Sequence, residues 1–160
     1  RHTGELRCED VAVPDEGVIA GPVENVLASG AGAGTAGLQT STLALGLARS
    51  ALDFLVAETA RRPELEAPYA ALEADYARQT EALLAAARGE PRCSNDELRR
   101  EANSLVLRAT QATLAAAKGA GFVAGHPAGR WCREALFFLV WSCPAPVLQA
   151  NLCELAGILE

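Results

Sequence analysis

The sequence predicts an all-α protein: an up-and-down bundle of four long helices and a short C-terminal one, entered through a short extended segment. Three observations carry that expectation. From about residue 35 the chain is rich in Ala and Leu, strong helix formers, and no stretch there reads as a strand. Apolar residues recur there at three- and four-residue spacing, the signature of one buried helix face. Pro and Gly fall between the periodic stretches and leave the short connections that join neighbouring helices in a bundle.

Before residue 35 the bias differs. Leu6 to Val13 and Gly17 to Leu27 mix Val, Ile, Pro and Gly, with the alternation Val11-Ala12-Val13, and predict strand ends and turns too few to form a sheet. A Gly/Ala-rich link follows from Ser29 to Gly37. The first helix is expected from about Ala36 to Ala60, with Leu38, Leu45, Leu52, Leu55, Val56 and Thr59 on one face. Arg61-Arg62-Pro63 ends it, because the residue before proline is pushed out of the helical region. The second runs from about Pro68 to Arg88 and closes at Gly89. Ser94-Asn95-Asp96-Glu97 is a capping box opening the third, which reaches about Lys118 with Leu98, Leu105, Ala109, Ala112 and Ala116 on one side. Gly119, Gly121, Gly125 and Pro127 make a loop. The fourth helix is expected from about Ala128 to Trp141, where Ser142-Cys143-Pro144-Ala145-Pro146 breaks it, and a fifth from about Pro146 to Ala156. Phe137, Phe138, Val140 and Trp141 crowd consecutive faces, so another helix, of this chain or a second copy, is expected to cover some of them.

Composition bounds the function. The 160 residues hold 14 Lys plus Arg against 20 Asp plus Glu, a formal charge of −6, with 50% apolar and 21% charged residues. That balance belongs to globular chains and excludes disorder for most of the length. An acidic chain without a basic cluster is a poor partner for nucleic acid. No uninterrupted apolar run reaches membrane length, so no span is expected. The chain begins at Arg1 with neither Met nor a signal pattern, as a piece of a longer protein would. The five cysteines, odd in number and without a CxxC pair, predict buried thiols in a reducing, cytoplasmic setting rather than disulfides or a zinc site.

Local motifs add no mechanism. Gly32-Ala33-Gly34-Thr35-Ala36-Gly37 fits GxGxxG, but a helix follows where a dinucleotide fold needs a second strand, so the run predicts a hinge. His2 and His126 have no nucleophile placed beside them by the sequence, Cys143 included. The carboxylates Glu58, Glu64 and Glu66, and Glu73 with Asp75, read as a solvated face.

Taken in order, the motifs resemble those of the acyl-CoA dehydrogenases, FAD-dependent enzymes that oxidise the α,β bond of acyl-CoA thioesters. Cys8-Glu9-Asp10-Val11-Ala12-Val13-Pro14 resembles F-x-D-V-x-V-P at the end of the family's middle β-domain, and Val23-Glu24-Asn25-Val26-Leu27 resembles A-E-N-x-L. Leu45-Gly46-Leu47-Ala48-Arg49-Ser50-Ala51-Leu52-Asp53 is similar to L-G-I-A-x-x-A-L-D of the first bundle helix. Gly119-Ala120-Gly121-Phe122 falls where the family has G-Y-G-Y, and Pro127-Ala128-Gly129-Arg130-Trp131-Cys132-Arg133-Glu134-Ala135 resembles P-V-E-R-x-Y-R-D-A.

The resemblance implies residues 1–34 as the end of a β-domain and linker, and 35–160 as the C-terminal helical bundle of a flavoprotein oxidoreductase. It implies FAD in the intact protein, an acyl-CoA thioester as substrate, and homo-oligomers built through the bundle. Cofactor contacts are implied at Arg62, Gly119 and Gly121. Arg62 falls on the Arg of the family's R-x-Q-F-G, but Pro63-Glu64-Leu65-Glu66 follows it, and Arg62 also reads as an ordinary cation at a helix C-terminus. Two acids beside a phosphate would repel it. Arg133 and Glu134 match an Arg–Asp pair with a structural role. The family's catalytic Glu is missing from both of its positions: Ser142 stands at the usual one, in Trp141-Ser142-Cys143-Pro144 where the family has Y-E-G-T, and Ala36 at the alternative. The isolated chain is therefore expected to be inactive, with any base, such as Glu24, supplied from elsewhere. A reading of another class is a non-catalytic oligomerisation or binding module derived from the same fold.

Overall fold

The structure is a computed structural model that describes residues 7–24, 26, 38–141 and 143–158. The chain divides into two compact units, Arg1–Gly34 and Thr35–Glu160. In the first, the described residues form one 3-10 turn, Asp15–Gly17, between extended or bent stretches, and none forms a strand. Val11, Val13, Val18, Ile19 and Val23 are all exposed there.

The second unit is the expected helical bundle. Its helices are α1 (Leu38–Thr59), α2 (Glu66–Ala87), α3 (Asn95–Ala117), α4 (Pro127–Ala135) and α5 (Ala145–Leu155). The third helix is the axle, packing against α1, α2, α4 and α5. That position explains why it buries more than the one predicted side: Ala102, Asn103, Val106, Leu107, Thr110 and Thr113 are buried along with Leu98, Leu105, Ala109 and Ala116. Ser94 caps it as its spacing predicts, its Oγ accepting from the Glu97 amide at 3.1 Å.

On α1 the buried residues are Ser41, Ala44, Leu45, Ala48, Ala51, Leu52 and Leu55, at three- and four-residue spacing. The small alanines let α3 come close, and the Thr113 hydroxyl donates to the Ala51 carbonyl at 2.9 Å. Val56, expected on this face, is exposed, because the buried stripe passes through Leu52 and Leu55 instead. Length and composition alone would let α1 cross a bilayer, with mean hydropathy 1.2 over its best window. The core helix of a bundle passes the same test, and mid-helix Arg49 is tied to Asp53 at 2.8 Å and to Glu73 of α2 at 2.8 Å.

Two boundaries differ from expectation. Helix α2 starts two residues early, at Glu66, since Pro68 falls in the first turn, where amides have no helical partner. The α-helix expected to run to Trp141 stops at Ala135, and a 3-10 turn carries the chain on to Leu139. Side chains of α3 take the carbonyls released there, as described next.

Candidate functional site

Two corners of the bundle hold the residues that the sequence singles out. The first lies where the end of α1 meets the end of α3. After α1, a 3-10 turn at Pro63–Leu65 brings Arg62 back onto the axle helix. Its Nη1 donates to the Ala116 carbonyl, one of the acceptors left open in the last turn of α3. Its Nε pairs with Glu64 at 3.1 Å. The Glu64 carboxyl lies below the usual range, held there by its own backbone amide and by Arg62.

Beyond Ala116 the chain tightens into a 3-10 turn, Lys118–Phe122. The structure thus brings Arg62 and the Gly119 turn to one corner. Gly119 has open space around it, whereas Gly121 is buried and a Cβ there would stand 2.6 Å from Leu114 Cδ1. A Cβ on Gly129, in the first turn of α4, would stand 2.6 Å from the Gly121 carbonyl oxygen. Gly129 is required by the contact between the turn and α4, whereas the space at Gly121 is taken by the Leu114 side chain of α3.

A cleft of about 520 Å³ opens beside this contact, lined by Leu114, Phe122, Val123, His126, Arg130, Cys132 and Arg133 among others. His126 caps α4, its Nδ1 accepting from the Ala128 amide at 3.2 Å. Its ring meets Phe54 edge-on at 5.5 Å. The Cys132 thiol donates to the Thr110 carbonyl at 3.2 Å, and burial pushes its pKa up against the opposite pull of the Thr110 side chain and nearby Arg133. Glu134 pairs with Arg130 at 3.4 Å, one helical turn away.

The residues of the first corner do not fit a cofactor pyrophosphate. The guanidinium of Arg62 is already engaged by a carbonyl and a carboxylate, Glu64 brings negative charge to the same place, and the space at Gly121 belongs to Leu114.

The second corner was not visible in the motifs. Arg99 of α3 is 2% exposed. Its Nε donates to Asn103 Oδ1 at 3.0 Å, and its Nη2 to the carbonyls of Phe138 at 3.4 Å and Trp141 at 3.0 Å. Asn103 Nδ2 adds a second donor to the Phe138 carbonyl at 3.1 Å. Among the described residues Arg99 has no carboxylate partner, an unusual condition for a buried cation. Cys143 interacts with it electrostatically; burial raises that thiol, Arg99 pulls it down and Asp96 pushes it up. The sequence signal was present: Arg99 sits inside the buried run Leu98, Ala102, Leu105 and Val106, where a cation needs a reason.

Ser142, Ala36, His2 and the 32–37 glycine run lie outside the described residues. The cysteines are unpaired; Cys8 is exposed and Cys93, Cys132, Cys143 and Cys153 are half-buried, less deep than the sequence suggests. No group of metal-ligating side chains occurs among the described residues. No family model, curated protein or solved structure matches the chain.

Proposed function

We propose that this chain is the helical bundle of an acyl-CoA dehydrogenase-like flavoprotein, acting as a packing and assembly element rather than as the source of the catalytic base. The observation that supports the reading is the contact between Gly121 and Gly129. Two of the motifs that resemble the family, in the Gly119–Phe122 turn and in the Pro127–Ala135 helix, meet so closely that the Gly121 carbonyl leaves no room for a Cβ on Gly129. The apolar Val and Ile residues left exposed in the first unit agree with the end of a β-domain whose partners lie elsewhere.

The role in assembly follows from what the bundle lacks. Ser142 and Ala36 stand where the family has its carboxylate, and a hydroxyl without an assisting base abstracts no α-proton at a useful rate. Arg62 is held by Ala116 and Glu64, so FAD in the intact protein would be bound by other parts. The test is the visible spectrum and flavin content of the full gene product. One FAD per chain supports the reading. A colourless product that takes up no added FAD removes it and leaves the non-catalytic module, which the same missing carboxylates favour.

A further inference from the structure

We propose that α5 is a releasable strap, which leaves α3 as a unit while the rest of the bundle stays folded and so opens a charged cleft on α3. The contiguous apolar core is built mainly from α1, α2, α3, α4 and the turn after α4. Among the described residues, α5 is the one α-helix that adds no side chain to it. The two buried residues of α5, Val147 and Asn151, lie one turn apart, and the helix packs against α3.

Those two side chains nearly cancel. Val147 is 1% exposed and gains from leaving water, but Asn151 is 3% exposed and its Nδ2 has no hydrogen-bond partner among the described residues. A buried amide without a partner costs about what one buried aliphatic side chain returns. One polar tie remains: Ser104 of α3 donates to Glu154 and accepts from Arg108 at 3.2 Å. That tie is in contact with water, which competes for each partner.

The attachment before α5 is firm by contrast. Arg99 holds the Phe138 and Trp141 carbonyls, and Pro144, with ψ at 146°, leads into α5 from outside the helical region. Release therefore starts beyond a fixed point and takes the helix alone. It also changes what α3 presents. Ala150, Cys153 and Glu154 of α5 line a cleft of about 640 Å³ together with Arg78 of α2 and Arg100 and Arg108 of α3. Without the strap, that side of α3 faces water. Elements that move come from the least stable part of a fold, and α5 is that part of the bundle. The inference goes beyond the flavoprotein reading and stands without it, because it concerns this chain alone.

The experiment is amide hydrogen exchange of the 160-residue chain, followed residue by residue by nuclear magnetic resonance. An undocked helix of 11 residues is too short to persist in water, so its amides exchange whenever it leaves. Amides from Gln149 to Cys153 should exchange at least about 100-fold faster than those at the centre of α3, and with one common opening constant. Asn151→Leu removes the orphaned donor and should slow α5 about 10-fold while leaving α3 unchanged. Ser104→Ala, which leaves the α5 sequence alone, should speed α5 about 3-fold and serves should Asn151→Leu fail to fold. Protection in α5 equal to that of α3 overturns the proposal, because the helix would then leave only on global unfolding. So does protection that falls steadily from Gln149 to Cys153, the mark of a fraying end. An α5 rate that Asn151→Leu leaves unchanged, or Ser104→Ala should the first variant not fold, overturns it equally.

Discussion

The guanidinium of Arg99, buried in the axle helix, donates to the main-chain carbonyl of Trp141 at 3.0 Å, 42 residues along the chain. It ties the end of the α4 region to the core just where the helix gives way to the turn before α5. Three acceptors take its bonds, the Asn103 amide oxygen, the Trp141 carbonyl and the Phe138 carbonyl, which Asn103 also serves. Arg99→Met keeps much of the volume and removes the donors. We expect a loss of about 2 kcal/mol in urea unfolding, since orphaned buried acceptors cost more than the relief of a buried charge returns. Near-ultraviolet circular dichroism should weaken as Trp141 loses its anchor. A change under about 0.5 kcal/mol, the scale of ordinary surface substitutions, would show that the turn holds itself.

Gly129→Ala and Gly119→Ala should separate sharply. A methyl at 129 meets the Gly121 carbonyl at 2.6 Å, so backbone must move, at a cost of about 1–3 kcal/mol. A methyl at 119 meets nothing and restrains the unfolded chain, giving a change between zero and a gain of about 1 kcal/mol. Thermal unfolding of the two variants checks the order, and equal losses would contradict the contact.

Asp75 gives the bundle an acid-sensitive tie. Its carboxyl lies below the usual range, held down by its bond from Arg78 and then by Arg108. A lowered folded-state pKa stabilises fully above the ordinary carboxylate value of about 4, and that stabilisation is lost as pH falls below it through the lowered folded value. Asp75→Asn should therefore destabilise at neutral pH, and the difference from the natural chain should shrink toward pH ~2. The effect stays within about 1 kcal/mol, because Arg78 and Arg108 are 57% and 46% exposed. A gap that widens on acidification would reverse the sign assigned to Asp75.

Arg62→Ala should cost about 1 kcal/mol by freeing the Ala116 carbonyl, as other lost helix caps do. Titration of FAD into the natural chain should give no binding tighter than about 1 μM, or about 8 kcal/mol. Tight binding abolished by Arg62→Ala would restore the phosphate role that the resemblance implies for Arg62.

The helices were legible because their signals are local. The Ser94 cap, Pro63 and Gly89 mark ends through backbone chemistry that needs no partner, and the three/four spacing marks faces. What escaped depends on contacts distant in sequence. Arg99 lies inside a buried run of α3, but the carbonyls that receive it, of Phe138 and Trp141, come from the far side of α4. The early end of α4 has the same cause. Arg62 reads both as a phosphate ligand and as a cation ending α1, and nothing local announces its bond to the Ala116 carbonyl of α3, 54 residues on. Gly121 looked like part of a cofactor turn, but its missing Cβ makes way for Leu114.

The proposed reading, a bundle of an acyl-CoA dehydrogenase-like flavoprotein with no carboxylate where the resemblance would put the base, is tested most directly by anaerobic mixing of the FAD-loaded gene product with saturated acyl-CoAs. The readout is the flavin absorbance near 450 nm, roughly where the oxidised cofactor absorbs. The account predicts little loss of that band with the natural sequence. It predicts a rate higher by about 10²–10⁴-fold in Ser142→Glu, the range a positioned base contributes. Rapid bleaching with Ser142 in place, persisting in Glu24→Gln, would contradict it.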